Sequence, residues 1–346
     1  MGIKGIRNFL KNQYNPEHFE ELVPFDVLRG KKIAVDTSIF VCMYKIVYPN
    51  TFEEEFMNLF VALLEHGIEP IFVFDGKSPE EKSEEKKKRE EKKHMQCVRI
   101  ESLERDLECY HKTQKVSQLL WDVNNKLVKK GHEFLKDNFS LAHVTLYVEK
   151  LKSQVLTLTS YDFELVKQLC SIFGVHYIIA EGEAEILCSQ LVKSNIAYAV
   201  LTKDTDVLAC GCPVMLSDIK LKSRVFSIIY LDNILKKLDL DYSKWLDFCI
   251  MCGTDFNDNI PKIGPVKSYK YIKAYGNLEQ ISKYINTSIL KYENVRNIFN
   301  ALETKSYADD AFSKLKLDMQ AIQKRILDHK LKISYDNLRD RLAIVA

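Results

Sequence analysis

Apolar runs in this chain end repeatedly in carboxylates, a pattern few folds accommodate. Ile33-Ala34-Val35 leads into Asp36, Ile71-Phe72-Val73-Phe74 into Asp75, and Ala197-Tyr198-Ala199-Val200-Leu201-Thr202 is followed by Asp204 and Asp206. Short unbroken apolar runs bounded by turn signals read as strands buried on both faces, the form that parallel strands take in an α/β sheet. Ligands of such sheets bind outside the carboxyl ends of the strands. If the three strands are neighbours, four aspartates converge at one edge, where each pair repels by roughly 4 kcal/mol at about 4 Å in an intermediate dielectric. A bound cation makes that tolerable. Glu183, Glu185 and Asp255 also stand at the ends of apolar runs and extend the set to seven. Hard oxygen donors of this kind suit Mg²⁺ or Mn²⁺, not zinc.

With 346 residues and 46% hydrophobic content, the chain can build a substantial core in one large or two ordinary domains. No apolar stretch reaches the length of a bilayer span, and Met1-Gly2-Ile3-Lys4-Gly5-Ile6 lacks the apolar core of a signal peptide. Ile6 stands where a myristoylation signal needs Ser or Thr. The cysteines number nine, which with no secretory signal points to free thiols in a reducing, intracellular compartment. Cys210, Cys212, Cys249 and Cys252 could in principle give zinc four thiolates. The apolar helical pattern from Trp245 to Cys252 makes core packing the simpler reading. The net charge of +2 leaves polyanion binding to local patches.

Along the chain, a helical segment around Ile6 to Leu10, a strand into Asp36, an apolar helix from about Phe52 to Glu65 and a strand into Asp75 form a βαβ unit. From Glu80 to about Leu158 the sequence is highly charged and helical in pattern, an insertion standing away from the sheet. Alternation then resumes, with a helix at Asp162 to Phe173, a strand at Val175 to Ile179, a helix at Glu183 to Lys193, a strand at Ala197 to Thr202 and another near Val225 to Tyr230. The remainder reads as helical. The expected partition is an α/β core in two parts, 1–79 and 161–240, interrupted by a helical insertion at 80–160 and followed by a helical element at 241–285 and a helical extension at 286–346.

Two segments carry positive charge where a phosphate would need it. On a helix through Glu80 to Lys93, the side chains of Lys82, Lys86, Arg89 and Lys93 fall within about 60° of one another, a single basic stripe close in sequence to Asp75. Acids and bases are near balance there, so a solvated helix laced with i,i+4 pairs is the plainer alternative. Between two helical patterns, Asn257-Asp258-Asn259-Ile260-Pro261-Lys262-Ile263-Gly264-Pro265-Val266-Lys267 offers a close backbone approach at Gly264 and a helix start at Pro265. Such a turn can bind phosphate through backbone amides, with Lys267, Lys270 and Lys273 along the same helix, or can simply join two helices.

These residues resemble the flap endonuclease family, the XPG-like structure-specific 5′ nucleases. The resemblance covers most of residues 1 to 285. It rests on Met1-Gly2-Ile3-Lys4-Gly5, Ala34-Val35-Asp36-Thr37-Ser38, Val73-Phe74-Asp75-Gly76-Lys77-Ser78-Pro79, Glu181-Gly182-Glu183-Ala184-Glu185, Thr202-Lys203-Asp204-Thr205-Asp206, Gly253-Thr254-Asp255-Phe256 and Ile263-Gly264-Pro265-Val266-Lys267, in family order. It implies a PIN-like α/β nuclease core with a mostly parallel sheet, a helical arch and a helix–hairpin–helix-like element. It makes Asp36, Asp75, Glu183, Glu185, Asp204, Asp206 and Asp255 ligands, direct or through water, of two Mg²⁺ ions, with Mn²⁺ as a substitute. Three acids alternate at 181 to 185; the spacing to Ala184 and Cys188 favours Glu183 and Glu185, leaving Glu181 as a helix N-terminal acid. Lys82 and Arg89 match the family's catalytic basic pair, which draws the scissile phosphate onto the metals.

The resemblance further implies DNA contacts from Gly2, Tyr44, Lys86, Lys93, Lys262, Gly264, Val266, Lys267 and Lys270, and a potassium ion at the Gly264 hairpin. The expected activity is Mg²⁺-dependent cleavage of DNA at 5′ flaps and single-strand to double-strand junctions, with 5′–3′ exonuclease activity, in replication, repair or recombination. A non-catalytic branched-DNA scaffold and a four-way-junction nuclease are the alternatives, and an RNA nuclease is disfavoured by the hairpin and the Lys82/Arg89 pair. Three features depart from the family pattern. Cys42 replaces a base-stacking aromatic, leaving Phe40 or Tyr44 to take its place; the segment between Arg89 and Glu183 is long; and no sliding-clamp peptide is seen. A monomer, paired only on junction DNA, located in a nucleus or at a viral DNA-replication site, is the expectation.

Overall fold

In the computed structural model of this chain, residues 2–13, 19–132, 136, 138–155, 157–302, 307–313 and 315–343 are described. Seven strands form one sheet: β1 Glu21–Pro24, β2 Lys32–Asp36, β3 Glu69–Phe74, β4 His176–Ile179, β5 Ala199–Leu201, β6 Val214–Lys220 and β7 Val225–Tyr230, in the order β1-β7-β6-β5-β2-β3-β4. The runs that end in Asp36, Asp75 and Asp204 are therefore adjacent. β2 pairs parallel with β3 on one side, Asp36 opposite Val73, and with β5 on the other, Val35 opposite Leu201. Parallel pairing extends from β4 to β6, and β7 and β1 close the other edge antiparallel. The centre of β2 is wholly buried, as its unbroken Ile33-Ala34-Val35 run requires.

The chain folds as two compact units, one of residues 1–42, 51–82 and 160–346 that contains the sheet, the other of 43–50 and 83–159. In the sheet unit, the helix Phe52–Glu65 buries Phe56 and Phe60, and the Phe60 ring lies 4.8 Å from Phe72 and 5.1 Å from Phe173. The C-terminal helices Met319–Asp328 and Tyr335–Leu342 are tied to that helix by Arg325 and His329 on Glu53 and by Arg341 on Glu65, 2.6 Å. The second unit has its own core. Helices Ser83–Thr113, Gln118–Val128 and Leu141–Gln154 bury Leu103, Leu120, Val123, Val144 and Val148 against one another. Ser117 caps the middle helix by accepting from Leu120 N, and the buried Asn124 side chain holds Asn138 O and Ser140 N.

Several local expectations are corrected. Glu80–Lys82 form a 3₁₀ turn and the α-helix starts at Ser83, so Lys82 stands outside the helical stripe of Lys86, Arg89 and Lys93. Strands β1 and β6 and the helix Thr37–Val47 are additional elements. Cys210, Cys212, Cys249 and Cys252, by contrast, pack as free thiols in the apolar core, the simpler of the two readings of their sequence pattern. Met1 of the N-terminal motif lies outside the described residues.

Candidate active site

The carboxyl ends of β5, β2 and β3 gather the acids. Asp36, the last residue of β2, is buried and accepts a 2.8 Å hydrogen bond from Thr202 Oγ1, just past β5. Thr202 Oγ1 in turn accepts from Asp204 N, and Asp204 Oδ1 accepts from Asp206 N, both at 3.0 Å, so one loop is wound around its own carboxylates. Asp75 follows β3 and accepts from Ala184 N at 2.8 Å, which docks the first turn of the helix Ala184–Lys193 against the sheet edge. Glu183 is the N-cap of that helix and Glu185 lies in its first turn, where the helix dipole favours negative charge. Glu181 precedes the helix, in a loop whose carbonyls accept from Gly76 N and Lys77 N at 2.8 and 3.1 Å. Gly76 is required there, since a Cβ would lie 2.0 Å from the Ala180 carbonyl oxygen.

Asp255 enters from the turn after the helix Tyr242–Cys252, held by Thr254 Oγ1 on Asn257 Oδ1 and by Asn257 Nδ2 on Ile250 O, each 2.8 Å. The start of the chain closes in beside it, with Ile3 N on Thr205 Oγ1 at 3.0 Å and Lys4 N on Gly253 O at 2.8 Å. Gly2 has φ +79°, and a Cβ on it would sit 2.0 Å from Asp204 Oδ1. Only glycine fits.

Lys82 is the cation of this edge. Its Nζ lies 2.5 Å from Glu183 Oε2 and 3.8 Å from both Glu185 Oε1 and Asp255 Oδ2. Burial opposes its charge, but Glu185 and Glu183, with Asp255, hold the ammonium above the ordinary lysine range. The acids show the reverse. Burial first and Asp75 second lift Asp36 to about 8, and burial raises Glu185, Asp204 and Asp206 as well. Both oxygens of the fully buried Asp206, and Oε1 of Glu183, have no hydrogen-bond partner among the described residues. Asp75, Glu183 and Glu185 each bring an oxygen within 4.8 Å of the others. A buried carboxylate left unpaired costs several kcal/mol, roughly. Orphaned oxygens in an all-carboxylate set fit a hard divalent cation.

The remaining expected residues are dispersed. Arg89, Lys86 and Lys93 stand on the helix Ser83–Thr113 of the second unit; Arg89 pairs with Glu85 at 3.2 Å, Lys93 Nζ donates to Thr157 Oγ1 at 2.9 Å, and Lys86 is exposed. Neither proposed stacking ring has an open face: Phe40 is 0% and Tyr44 5% exposed. One turn after Tyr44, Tyr48 is 41% exposed. At the hairpin, Gly264 caps the helix Pro265–Tyr275, and among the described residues nothing lies within 4 Å of where its Cβ would be. Asn259 Nδ2 braces the loop on Ile260 O and Ile263 O, and Lys267 Nζ donates to Lys262 O at 3.1 Å. Lys262, Val266, Lys267 and Lys270 are exposed. Sequence reasoning missed Thr202 and Thr205, which fix Asp36 and the chain start; their only signal was their place inside the motif Thr202-Lys203-Asp204-Thr205-Asp206.

Comparison with known proteins places the chain in one lineage. The XPG N-terminal domain model matches residues 1–96 and the XPG I-region model residues 174–255, segments that include all the acids above. A probable RAD2-like endonuclease, 369L of Invertebrate iridescent virus 6, is 32% identical over 341 residues, covering 89% of this chain and 81% of that protein. Flap endonuclease 1 of Naegleria gruberi is 28% identical over 86% of this chain and 73% of its own length. Among solved structures, the catalytic core of Rad2 in complex with a DNA substrate superposes with a TM-score of 0.68 at 19% identity, covering 100% of both chains.

Proposed function

Because this chain belongs to the XPG family of structure-specific nucleases, we propose that its sheet-edge carboxylates hydrolyse DNA phosphodiesters at 5′ flaps and single-strand to double-strand junctions. The observation that carries this reading is the cluster itself, a set of buried acids with orphaned oxygens at Asp206 and Glu183 and with Lys82 as the cation set among them. Asp36, Asp75, Glu183, Glu185, Asp204, Asp206 and Asp255 would hold two Mg²⁺ ions, with Mn²⁺ able to substitute. Ions bound there supply Lewis acidity to the phosphodiester and lower the pKa of the attacking water.

Every other part of the reaction falls to the chain. Attack of water in line with the departing 3′-oxygen forms one P–O bond and breaks another, and the 3′-oxygen leaves as a hydroxyl once protonated, giving 5′-phosphate and 3′-hydroxyl ends. No protein nucleophile is required. Lys82, already at the acids, would exchange its bond to Glu183 for the scissile phosphate and meet the charge that grows on it. Arg89 would be the second phosphate ligand, with Lys86 and Lys93 along the same helix. The Gly264 turn, open to close approach and flanked by Lys262, Val266, Lys267 and Lys270, would hold duplex backbone away from the cut, with K⁺ as its monovalent ion.

The test is a panel of 5′-labelled flap, nicked, gapped and four-way-junction DNAs at one salt concentration. Preferential cutting of the flap near its junction in Mg²⁺, and none in EDTA, is the expected result. Preference for the four-way junction would replace flap specificity with junction cutting, and binding of all four without cutting would support the scaffold reading.

A further inference from the structure

Among the seven acids the burial is uneven, for Asp75 is exposed while the neighbouring Glu183 and Glu185 are buried. On the Asp75 side lies a cleft of about 660 Å³, lined by Asp75, Ser38 and Phe74 from the sheet edge, by Ile179 at the end of β4, and by Tyr161 and Lys167 on the helix Ser160–Ile172. Its size falls within the ordinary range of small-ligand sites. The walls are unusual for a surface. Tyr161 and Ile179 are 64% and 54% exposed, two large apolar faces turned to solvent beside an acidic site. Lys167 Nζ sits 5.5 Å from the centre of the Phe74 ring, and both side chains line the cleft. Its pairing with Glu164 is loose, 3.7 Å, with the acid 58% exposed, so a phosphate can displace it.

An aromatic face, an aliphatic shelf, a lysine and a hydroxyl beside a carboxylate edge match the parts of one nucleotide. We propose that this cleft receives the nucleotide of the cleaved strand next to the phosphate under attack, its base stacked on Tyr161 and its outer phosphate on Lys167. Stacking of this kind tolerates every base, since each has a π-face. The proposal rests on the nuclease reading of the acids and adds to it the means by which the strand is seated.

Flap DNA carrying 2-aminopurine on either side of the scissile phosphate, mixed with the full chain in Ca²⁺, reads the stacking directly. At one of the two positions, wild-type protein quenches the fluorescence, Tyr161→Ala does not, and Tyr161→Phe, which keeps the ring, recovers the quench. In single-turnover cleavage with Mg²⁺, Tyr161→Ala slows the reaction about tenfold, as loss of one base stack implies. An abasic residue at that position slows wild type by the same factor and adds nothing to the Tyr161→Ala loss. Equal quenching by wild type and Tyr161→Ala, or losses that multiply, overturns the proposal while cleavage itself upholds the nuclease reading. Ring-dependent quenching without cleavage does the opposite, keeping the cleft and removing the nuclease reading.

Discussion

On the helical unit, Glu85 pairs with Arg89 at 3.2 Å, and Glu104 and Glu149 share Lys152 at 2.5 and 2.9 Å, all of them partly open to water. At the sheet edge, Glu183, Glu185 and Asp255 share Lys82, and Asp206 finds no hydrogen-bond partner for either oxygen among the described residues. The same carboxylate is satisfied by solvent and a flexible neighbour in one region and stranded in the other. Charge that folding leaves uncompensated points to a ligand; charge balanced where it stands does not. The two regions therefore respond oppositely to removal of a charge.

The largest contrast is expected from Asp206→Asn. Flap cleavage falls by about 10²–10³-fold or more, the range seen when a preorganised electrostatic group is lost. The metal-free protein becomes more stable in thermal melts at alkaline pH, because a buried carboxyl that resists ionisation has been replaced by a neutral group. A parallel loss of fold and activity would remove Asp206 from the cation set. Lys82→Ala comes next, slowing single-turnover cleavage by roughly 10²-fold with little change in DNA Kd, as expected of a group acting at one phosphate. Equal losses in both would assign Lys82 to general DNA binding.

Metal and pH give a third handle. Asp36 is lifted from 3.8 to about 8 by burial and then Asp75, so the folded protein keeps a proton that the unfolded chain has released. The contribution of Asp36 to the stability of the metal-free protein is then full below about pH 4 and lost as pH climbs toward about 8. Mg²⁺ reverses the trend, adding about 2.7 kcal/mol at a hundredfold excess over its Kd and more effectively at pH 8 than at pH 5. Thermal melts across pH 5–8 with and without Mg²⁺ read this; a pH-independent melt would sever the acids from stability. The smallest effect belongs to the other region. Lys152→Ala, at a 39% exposed side chain, should change stability by less than about 1 kcal/mol and leave cleavage unaltered.

Sequence carried the acid edge because strands buried on both faces leave an unmistakable run and their last residues must meet if the strands are adjacent. β1 and β6 escaped notice for the same reason inverted: Pro24 ends one on an exposed edge, and Ser217 and Asp218 break the other into a polar pattern with a register shift. The helix Thr37–Val47 starts immediately after Asp36, the last residue of β2, with no intervening turn to announce it. Helical geometry put Lys82 on one stripe with Arg89, but a 3₁₀ turn takes it off that helix and into the acids. Tyr44 and Phe40 carried a signal of residue type alone, and type does not say which face of a helix is buried. The core of the helical unit was hidden by the charged residues that precede Leu103 on the same helix. Tyr161 and Lys167 could not be found at all, since a cleft is made by elements distant in sequence.

Whether the sheet-edge carboxylates are a cation site that cuts DNA is decided by Asp204→Asn. Single-turnover cleavage of a 5′-labelled flap should be rapid for wild type in Mg²⁺, absent in EDTA, and abolished in Asp204→Asn at every Mg²⁺ concentration although the variant still binds the DNA. Cleavage by a folded Asp204→Asn at the wild-type rate, or by wild type in EDTA, would contradict such a site.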